Sequence, residues 1–292
     1  MTQVTVGPPW VADGPIPQAP PHNLLSIPGV LLPTPNDDHW LVGIEVWPYP
    51  RDLPDTHDAC SEGTFRLKAE GEGWNDSIFG PFEVVLPITC STITAKRRDF
   101  ANRAEIALKA RESYGVSLEL ATGNAQPLNP HFSDSNVHVL AGGAAVRADV
   151  GLAYLEDAIG ATAGTGIIHA TPAVATAWNG QSGYSVEDVG GTLYTTANRT
   201  PVAVSYAYYG VTPSGQSAAP AGSAWVYATG PIQVRRQNEV VMIADTIAES
   251  MDRESNEVTF RAERGFVAIY DAPDSNTDTR PCQACVLIDW TP

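Results

Sequence analysis

Basic residues are scarce in this chain of 292 residues. Seventeen Lys and Arg stand against thirty-three Asp and Glu, which leaves a net charge of −16 at pH 7. Only three of the basic residues are lysines, Lys68, Lys96 and Lys109. Because contacts to phosphates need clustered cations, this balance argues against sequence-independent binding of nucleic acid.

Long apolar runs are also missing. Stretches such as Val84 to Pro87 and Val240 to Ala244 are far shorter than the roughly 20 residues that a membrane helix requires. Residues 1–6 show no cationic segment followed by an apolar core, so no secretory signal is predicted. We therefore expect a chain that is intracellular when synthesised and has no membrane partner.

Cysteine is rare, with four residues, too few for the disulfide framework of a small secreted domain. Cys282-Gln-Ala-Cys285 has the spacing of a metal or redox pair, but Cys60 and Cys90 lie far apart and supply no second pair for zinc. A redox pair would stand at the start of a helix, whereas residues 286–290 are typical of a strand. The pattern favours two thiols on a terminal strand.

Motifs of the common enzyme classes are absent. Residues 179–183 and 212–217 do not match the Gly-x-Ser-x-Gly turn of hydrolases, and Gly164-Thr-Gly166 lacks the third glycine and the lysine of phosphate-binding loops. The histidines occur singly, at His22, His39, His57, His131, His138 and His169. His169 lies in an apolar segment and is predicted to be a hydrogen-bonded core or turn residue. No catalytic residue, cofactor site or metal site is predicted, and no enzyme activity is expected.

The N-terminal segment is rich in proline instead. Residues 1–36 hold nine of the twenty-four prolines and one charged residue, Asp13. Proline disfavours a helix or a central strand here, and the segment is too apolar for a solvated tail. These properties predict an extended arm that lies on another surface, either that of a neighbouring subunit or that of its own domain.

Strand and helix patterns alternate along the rest of the chain. Strand signals separated by polar turns cover 40–49, 64–67 and 79–86. From Thr94 to Leu120 the apolar spacing becomes helical, through Phe100, Ala104, Ala107, Leu108 and Tyr114. This predicts a long surface helix that packs on one side, begins near Thr92 or Thr94, and has a possible interruption at Gly115.

The second half of the chain continues with a helix, strand, helix unit at 146–159, 166–171 and 173–178, with Thr171-Pro172 as the start of the last helix. Further strands are predicted at 192–195, 202–209, 224–229, 232–235, 258–270 and 285–289. No internal repeat is visible. Strands outnumber helices, so the predicted fold class is α+β.

Three segments, taken in order, resemble the major capsid proteins of tailed bacteriophages with the Hong Kong 97-type fold, which encapsulins share. Residues 79–85 and the helix that ends at Thr122-Gly123 are similar to the last strand of an extended loop and the spine helix. Residues 166–230 resemble the axial domain. Residues 256–270, where an arginine and glutamate pair precedes an apolar run, resemble the closing strand of the peripheral domain, and 286–289 fit the terminal strand.

The resemblance implies four parts. These are an N-terminal arm at 1–37, an extended β-hairpin loop at 38–88, a peripheral domain with the spine helix at 89–134 and 231–292, and an axial domain at 135–230. It implies a major capsid protein that assembles with itself as hexamers and pentamers into an icosahedral shell around double-stranded DNA, without sequence-specific binding. Further partners would be scaffolding, portal and cement proteins, and the location would be the virion after assembly in the host cytoplasm.

Candidate contacts between subunits follow from the same resemblance. They are Trp10, Leu24, Leu31 and Leu32 on the arm, Trp47 and Phe65 on the extended loop, and Arg261, Glu263 and Arg264 on the closing strand. The alternatives are a core role within the chain for the apolar residues and a solvated strand face for the charged ones. Deletion of residues 1–36 is expected to leave folded capsomers that fail to close. Some relatives crosslink their shells, and Lys68, Asn256 and Glu263 could be fitted to those roles, although no local motif requires it.

Other functions stay open. An encapsulin shell would carry an N-terminal helix that grips cargo, which the prolines from Pro8 to Pro35 disfavour. Another virion component, such as a decoration, connector or tail protein, is a second alternative, and the long helix argues for the shell subunit instead. No charged helical segment precedes the arm in this sequence, so scaffolding is expected from another chain or not at all.

Overall fold

A computed structural model describes residues 15–33, 39–46, 77–91, 99–161, 165–180, 187–189, 193–243, 251–252, 254–270 and 283–290. The strands in these ranges are β1 (Ile44–Val46), β2 (Ser77–Phe79), β3 (Phe82–Ser91), β4 (His138–Val139), β5 (Val146–Arg147), β6 (Ile167–Ala170), β7 (Glu187–Val189), β8 (Leu193–Thr195), β9 (Pro201–Val204), β10 (Ser223–Thr229), β11 (Ile232–Arg236), β12 (Val241–Ile243), β13 (Met251–Asp252), β14 (Glu257–Tyr270) and β15 (Gln283–Asp289). The helices are α1 (Phe100–Thr122), α2 (Ala148–Ala161) and α3 (Pro172–Gly180). The predicted α+β class is confirmed.

The long strand β14 organises the first of two main sheets. β3 pairs with it antiparallel along one edge, and β11, β12 and β13 follow one another along the other edge. Side chains of a strand alternate between faces, so Val258, Phe260 and Ala262 are buried on one face while Arg261 is exposed on the other. Helix α1 packs against the buried face, where Ala104 and Leu108 form a cluster with Ala262.

The second sheet has eight strands, in the order β4, β15, β10, β6, β9, β8 and β7, with β5 beside β15. Its centre is β10, whose seven residues are all buried. Helices α2 and α3 cover one face and bury Leu155 and Trp178 against Val226 and Val286. The apolar runs predicted at 166–171 and 224–229 are therefore fully buried strands.

The sheet that β15 joins differs from the grouping that the resemblance implied. The resemblance assigned 231–292 to the peripheral part, and every residue of β15 pairs with β10 in the second sheet; the division into four parts stays a prediction. Likewise, β3 was expected to lie mostly within the extended loop at 38–88, yet it belongs to the first sheet along its whole length. Of the expected loop, the structure describes the base, where β1 and β2 pair, and residues 47–76 lie outside the described ranges.

Helix α1 has defined ends. The Asp99 side chain accepts a hydrogen bond from the Asn102 backbone N–H at 3.1 Å, which is the usual role of an N-cap. Gly123 ends the helix at φ 62°, the left-handed conformation that glycine adopts without strain. The prediction that the helix begins near Thr92 or Thr94 is wrong, because the helix begins at Phe100 after the Asp99 cap; Thr92 and Thr94 lie outside the described residues. None of the helices described is long and apolar enough to cross a membrane.

The prediction that α1 packs on one side holds only for its first half. Beyond Lys109 the helix is enclosed on several sides, and the polar residues Glu112, Ser113, Ser117 and Glu119 are buried there. Tyr114, placed on the apolar face from its spacing, is 44% exposed. The reason is that Glu112 and Ser117 have hydrogen-bond partners on distant elements, which local spacing does not reveal.

Gly115 does not interrupt α1. A Cβ at this position would lie 2.6 Å from Val84 Cγ1 and 2.8 Å from Val84 Cγ2. The glycine therefore lets strand β3 approach the helix backbone closely. Packing accounts for this residue in mid-helix, where glycine alone would be unfavourable.

We predict that Gly115→Ala destabilises the protein by about 1 to 3 kcal/mol, because the strand must move to admit the methyl group. The control is Gly160→Ala in α2, where a Cβ would meet nothing within 4 Å and helix propensity should give a gain of up to about 1 kcal/mol. Urea unfolding of the purified variants measures both. Equal effects of the two substitutions would contradict the close approach.

Candidate functional site

The described part of the N-terminal arm lies on its own chain. Leu24 is fully buried, and Ile27 and Val30 are in the same core cluster. Leu31 forms a parallel bridge with Val234, and the Leu32 backbone N–H donates to the Val234 carbonyl at 2.9 Å. Residues 15–33 are thus an extended segment laid over their own sheets, the second of the two positions that the sequence left open.

The apolar residues predicted to form contacts between subunits differ in where they lie. Leu24 belongs to the core of its own chain, whereas Leu31 and Leu32 are half-buried at the surface. Trp10, Trp47 and Phe65 lie outside the described residues. A role of these residues between subunits stays a prediction.

Arg264 is buried inside the chain rather than on a strand face. Its guanidinium pairs with the buried carboxylate of Glu112 on α1, and Arg236 on β11 donates to the same carboxylate at 3.0 Å. A second Arg264 nitrogen, Nη2, donates to the Asn238 carbonyl at 2.9 Å. The three charged side chains connect the helix to two strands of the first sheet, so the solvated alternative for Arg264 is wrong.

Arg261 and Glu263 lie on the opposite face of β14. Their side chains form an ion pair at 2.9 Å along the strand, with Arg261 45% and Glu263 14% exposed. Glu263 stands in register between Val85 on β3 and Val241 on β12, both partly exposed. The pair is therefore set in an outward apolar strip, and its pairing across subunits stays a prediction.

We predict that Glu112→Ala lowers the free energy of unfolding by about 3 to 5 kcal/mol, because it leaves a buried arginine without its counter-ion. Glu105→Ala is the control on the same helix, since Glu105 forms an exposed pair with Lys109 and such pairs contribute about 0.5 kcal/mol or less. Denaturant unfolding compares the two. A loss for Glu112→Ala no greater than for the control would show that the buried pair is not stabilising.

His169 is the centre of a buried polar cluster. It is fully buried on β6, with Nδ1 3.1 Å from the Tyr208 hydroxyl and Nε2 3.0 Å from Thr229 Oγ1. Tyr208 in turn donates to Ser117 Oγ on α1 at 3.2 Å. Phe132 packs over His169 with ring centroids 4.8 Å apart. The cluster connects the second sheet to the helix of the first.

These contacts make His169 a structural residue, as predicted. Both ring nitrogens have hydroxyl partners, and burial lowers the pKa of His169 to about 3, so the imidazole is neutral at pH 7. Burial also raises the pKa of the Cys285 thiol, on β15, to about 12, which makes it a poor nucleophile. Within the described ranges no three His, Cys, Asp or Glu side chains are placed to hold a metal ion.

The lowered pKa of His169 predicts a pH dependence of stability. The unfolded chain takes up a proton at His169 near pH 6.5 and the folded chain only near pH 3. The free energy of unfolding is therefore unaffected by this residue above pH 6.5 and falls as the pH drops below it. The expected slope from this residue is about 1.4 kcal/mol per pH unit.

Unfolding free energies between pH 6.5 and 4.5 test this, with His169→Gln expected to have a slope shallower by that amount. His138→Gln, at an exposed histidine, is the control and should keep the original slope. Identical slopes in all three proteins would contradict a neutral buried His169.

One long stretch in the second half of the chain carries no charge. Residues 200–234 contain no Asp, Glu, Lys or Arg, although such residues make up 17% of the chain. Most of residues 214–221 are exposed, and Gly143 in the uncharged loop 140–145 packs against Gln216. We call residues 140–145 and 206–221 the uncharged loops.

Two tyrosines in the uncharged loops are largely exposed. The strand predicted over 202–209 ends at Val204, and a 3-10 turn over Tyr206–Tyr208 follows, capped by Ser205. Tyr206 and Tyr209 are 64% and 59% exposed and stack with ring centroids 5.3 Å apart. Sequence reasoning missed them because alternating aromatics resemble a strand.

Several solved structures share this architecture. A protein of Mycobacterium phage Bobi matches with a TM-score of 0.55 and 13% identity, over 98% of this chain and 97% of that one. The capsid of an empty GTA particle matches with a TM-score of 0.54 and 12% identity, over 97% and 95%. A protein of Microbacterium phage Oxtober96 matches with a TM-score of 0.52 and 9% identity, over 97% and 96%.

At these identities the similarity establishes the fold. The chain has the Hong Kong 97-type capsid fold that its sequence resembled, and that prediction is confirmed. No protein-family model matches the chain, and no curated protein is similar to it in sequence.

Proposed function

We propose that this chain is the major capsid protein of a tailed double-stranded DNA bacteriophage, which assembles as hexamers and pentamers into an icosahedral shell. The observation that carries the proposal is the match to a capsid chain over 97% of this chain and 95% of the other. Because both chains are covered almost from end to end, the likeness extends to the whole subunit and not to one shared domain.

The division into four parts is itself a proposal, drawn here along the two sheets. We propose that the first sheet and α1 form the peripheral domain, and that the second sheet, including β15, forms the axial domain. Within the proposed arm, residues 15–33 are packed on their own chain. The β1 and β2 pair would be the base of the extended loop.

The charge of the chain suits a container for DNA. A net charge of −16 makes the shell a poor ligand for phosphates, so packaged DNA would be enclosed without tight or sequence-specific binding. Scaffolding, portal and cement proteins are the further partners that this role would require. Assembly would take place in the host cytoplasm, and the mature protein would be in the virion.

An encapsulin shell is the second candidate for the same fold. Relatives of that kind place an N-terminal helix against their cargo. Residues 15–33 contain a single 3-10 turn, Leu24–Ser26, and otherwise lie extended or in turns on the chain's own sheets. This favours the phage shell.

Negative-stain electron microscopy of the purified full-length chain, expressed alone and with its neighbouring genes, tests the proposal. Closed polyhedral particles are expected, and nuclease treatment before and after opening them distinguishes enclosed DNA from protein cargo. A stable monomer or long tubes under all conditions would contradict a shell subunit and favour a decoration or tail protein.

We predict that deletion of residues 1–14 leaves folded capsomers that do not close into particles, because in the proposed shell the arm contacts a neighbouring subunit, while the packed residues 15–33 are kept in this variant. The control is deletion of 1–36, which the sequence suggested as the test. It also removes Leu24, Ile27 and Val30 from the core, and each buried side chain contributes about 1.5 to 3 kcal/mol. This larger deletion should unfold the chain. Closed particles of normal size from the 1–14 deletion would contradict the reaching arm.

A further inference from the structure

The β1 and β2 pair is joined to the first sheet through two residues, Gly80 and Pro81. β2 ends at Phe79 and pairs with β1, whereas β3 begins at Phe82 and pairs with β14. The backbone of Gly80 therefore lies between two sheets, and no described strand pairs with it. Because glycine has the greatest backbone freedom of any residue, this junction is the point at which the pair can turn against the sheet.

The side chain of Asn129 holds this junction. Its Oδ1 accepts from the Gly80 backbone N–H at 2.8 Å, and its Nδ2 donates to the Gly80 carbonyl at 2.9 Å. One side-chain amide, which carries a donor and an acceptor, thus pairs with both backbone groups of a single residue, as a neighbouring strand would. Asn129 is only 8% exposed, so water competes little for these two hydrogen bonds.

Asn129 is itself held by the loop that follows α1, residues 123–130, which we call the bracket loop. The Glu119 carboxylate on α1 accepts from two consecutive backbone N–H groups of this loop, at 3.0 and 2.8 Å. At the other end of the loop, the hydroxyl of Tyr270 on β14 donates to the Pro130 carbonyl. The bracket loop is therefore bound both to the helix and to the first sheet, and it presents Asn129 from a fixed support.

Apolar contacts alone do not fix the angle of the β1 and β2 pair. Phe79 is buried in the main core cluster with Ile44 packed against that cluster, and the rings of Phe79 and Tyr270 are 5.9 Å apart. Apolar burial has no directional preference, whereas a hydrogen bond weakens steeply as its angle departs from linear. The two hydrogen bonds of Asn129 therefore define a direction that packing leaves free.

We propose that Asn129 is a positioning residue, which fixes the angle at which the β1 and β2 pair leaves the first sheet. The inference rests on the proposed function, in which this pair is the base of the extended loop and the loop contacts a neighbouring subunit. A shell closes at one size only when each subunit meets its neighbours at a set angle. Loss of the amide would leave the subunit folded and make that angle variable.

The test is Asn129→Ala in the full-length chain, with hydrogen exchange on unassembled subunits and electron microscopy of the particles. The amides of residues 77–80 should exchange about tenfold faster, as expected when a hydrogen bond is lost from a segment that opens locally. The amides of β10 should be unchanged. Closed particles of the usual diameter should be severalfold fewer, with open or irregular shells in their place. Uniform particles in normal yield would overturn the inference.

Ser205→Ala is the matched control. It also removes a hydrogen bond made by a largely buried side chain, in the turn after β9. We expect it to lower the urea midpoint of unfolding slightly, as Asn129→Ala does, and to leave the particles uniform. Equal particle defects in the two variants would show that reduced stability causes the irregular shells, and the positioning role would be wrong.

A second substitution at the junction separates positioning from stability. Gly80 is not in the left-handed region, and a Cβ there would meet only the movable end of the Gln126 side chain, 2.9 Å away. Alanine restricts the backbone more than glycine does. Adding Gly80→Ala to Asn129→Ala should therefore restore part of the uniform particles, and no recovery would contradict the turning point at Gly80.

The unchanged chain supplies a measurement that needs no variant. Its Gly80 amide should be protected as well as the hydrogen-bonded amides of β3, and rapid exchange would overturn the inference even if Asn129→Ala did not fold. If the unchanged chain forms no particles under any condition, the proposed function fails, whatever the exchange at Gly80. If it forms uniform particles and Asn129→Ala does so equally well, the shell role stands and the positioning role is wrong.

Discussion

The buried carboxylate of Glu112 is the interaction on which the first sheet and its helix depend. It accepts from Arg264 on β14 and from Arg236 on β11, so a single side chain of α1 is bound to two strands that are separated in sequence by the whole β12 and β13 region. A charge buried in this way is costly unless it is paired. The helix can therefore occupy one position on the sheet, and apolar packing of Ala104 and Leu108 follows from that position.

The second sheet is connected to the same helix one and a half turns further along. Ser117 accepts from Tyr208, whose hydroxyl also meets His169 on β6. Each hydroxyl and ring nitrogen in this cluster has a partner, which is what permits polar groups in a water-free core. One helix thus orients both sheets.

Local patterns predicted the elements better than their arrangement. The helices around 100–122, 148–161 and 172–180 and the strand at 257–270 were found from periodicity and caps, because those signals lie within a few residues of each other. The assignment of β15 failed, since its strand pattern does not say which sheet it joins. The buried half of α1 was missed for the same reason, and the arm could not be assigned to its own surface until Leu24 and Val234 were seen in place.

By itself, the sequence determined the α+β class, the order of the elements, the extended arm, and the uncharged run at 200–234. These depend on backbone restrictions, side-chain alternation and composition, which act over short distances along the chain. The tertiary structure alone decided that Arg264 is buried, that residues 15–33 cover their own sheets, and that Tyr206 and Tyr209 remain outside. The partners in these contacts are far apart in sequence, 152 residues for Arg264 and Glu112, so folding is needed to bring them together.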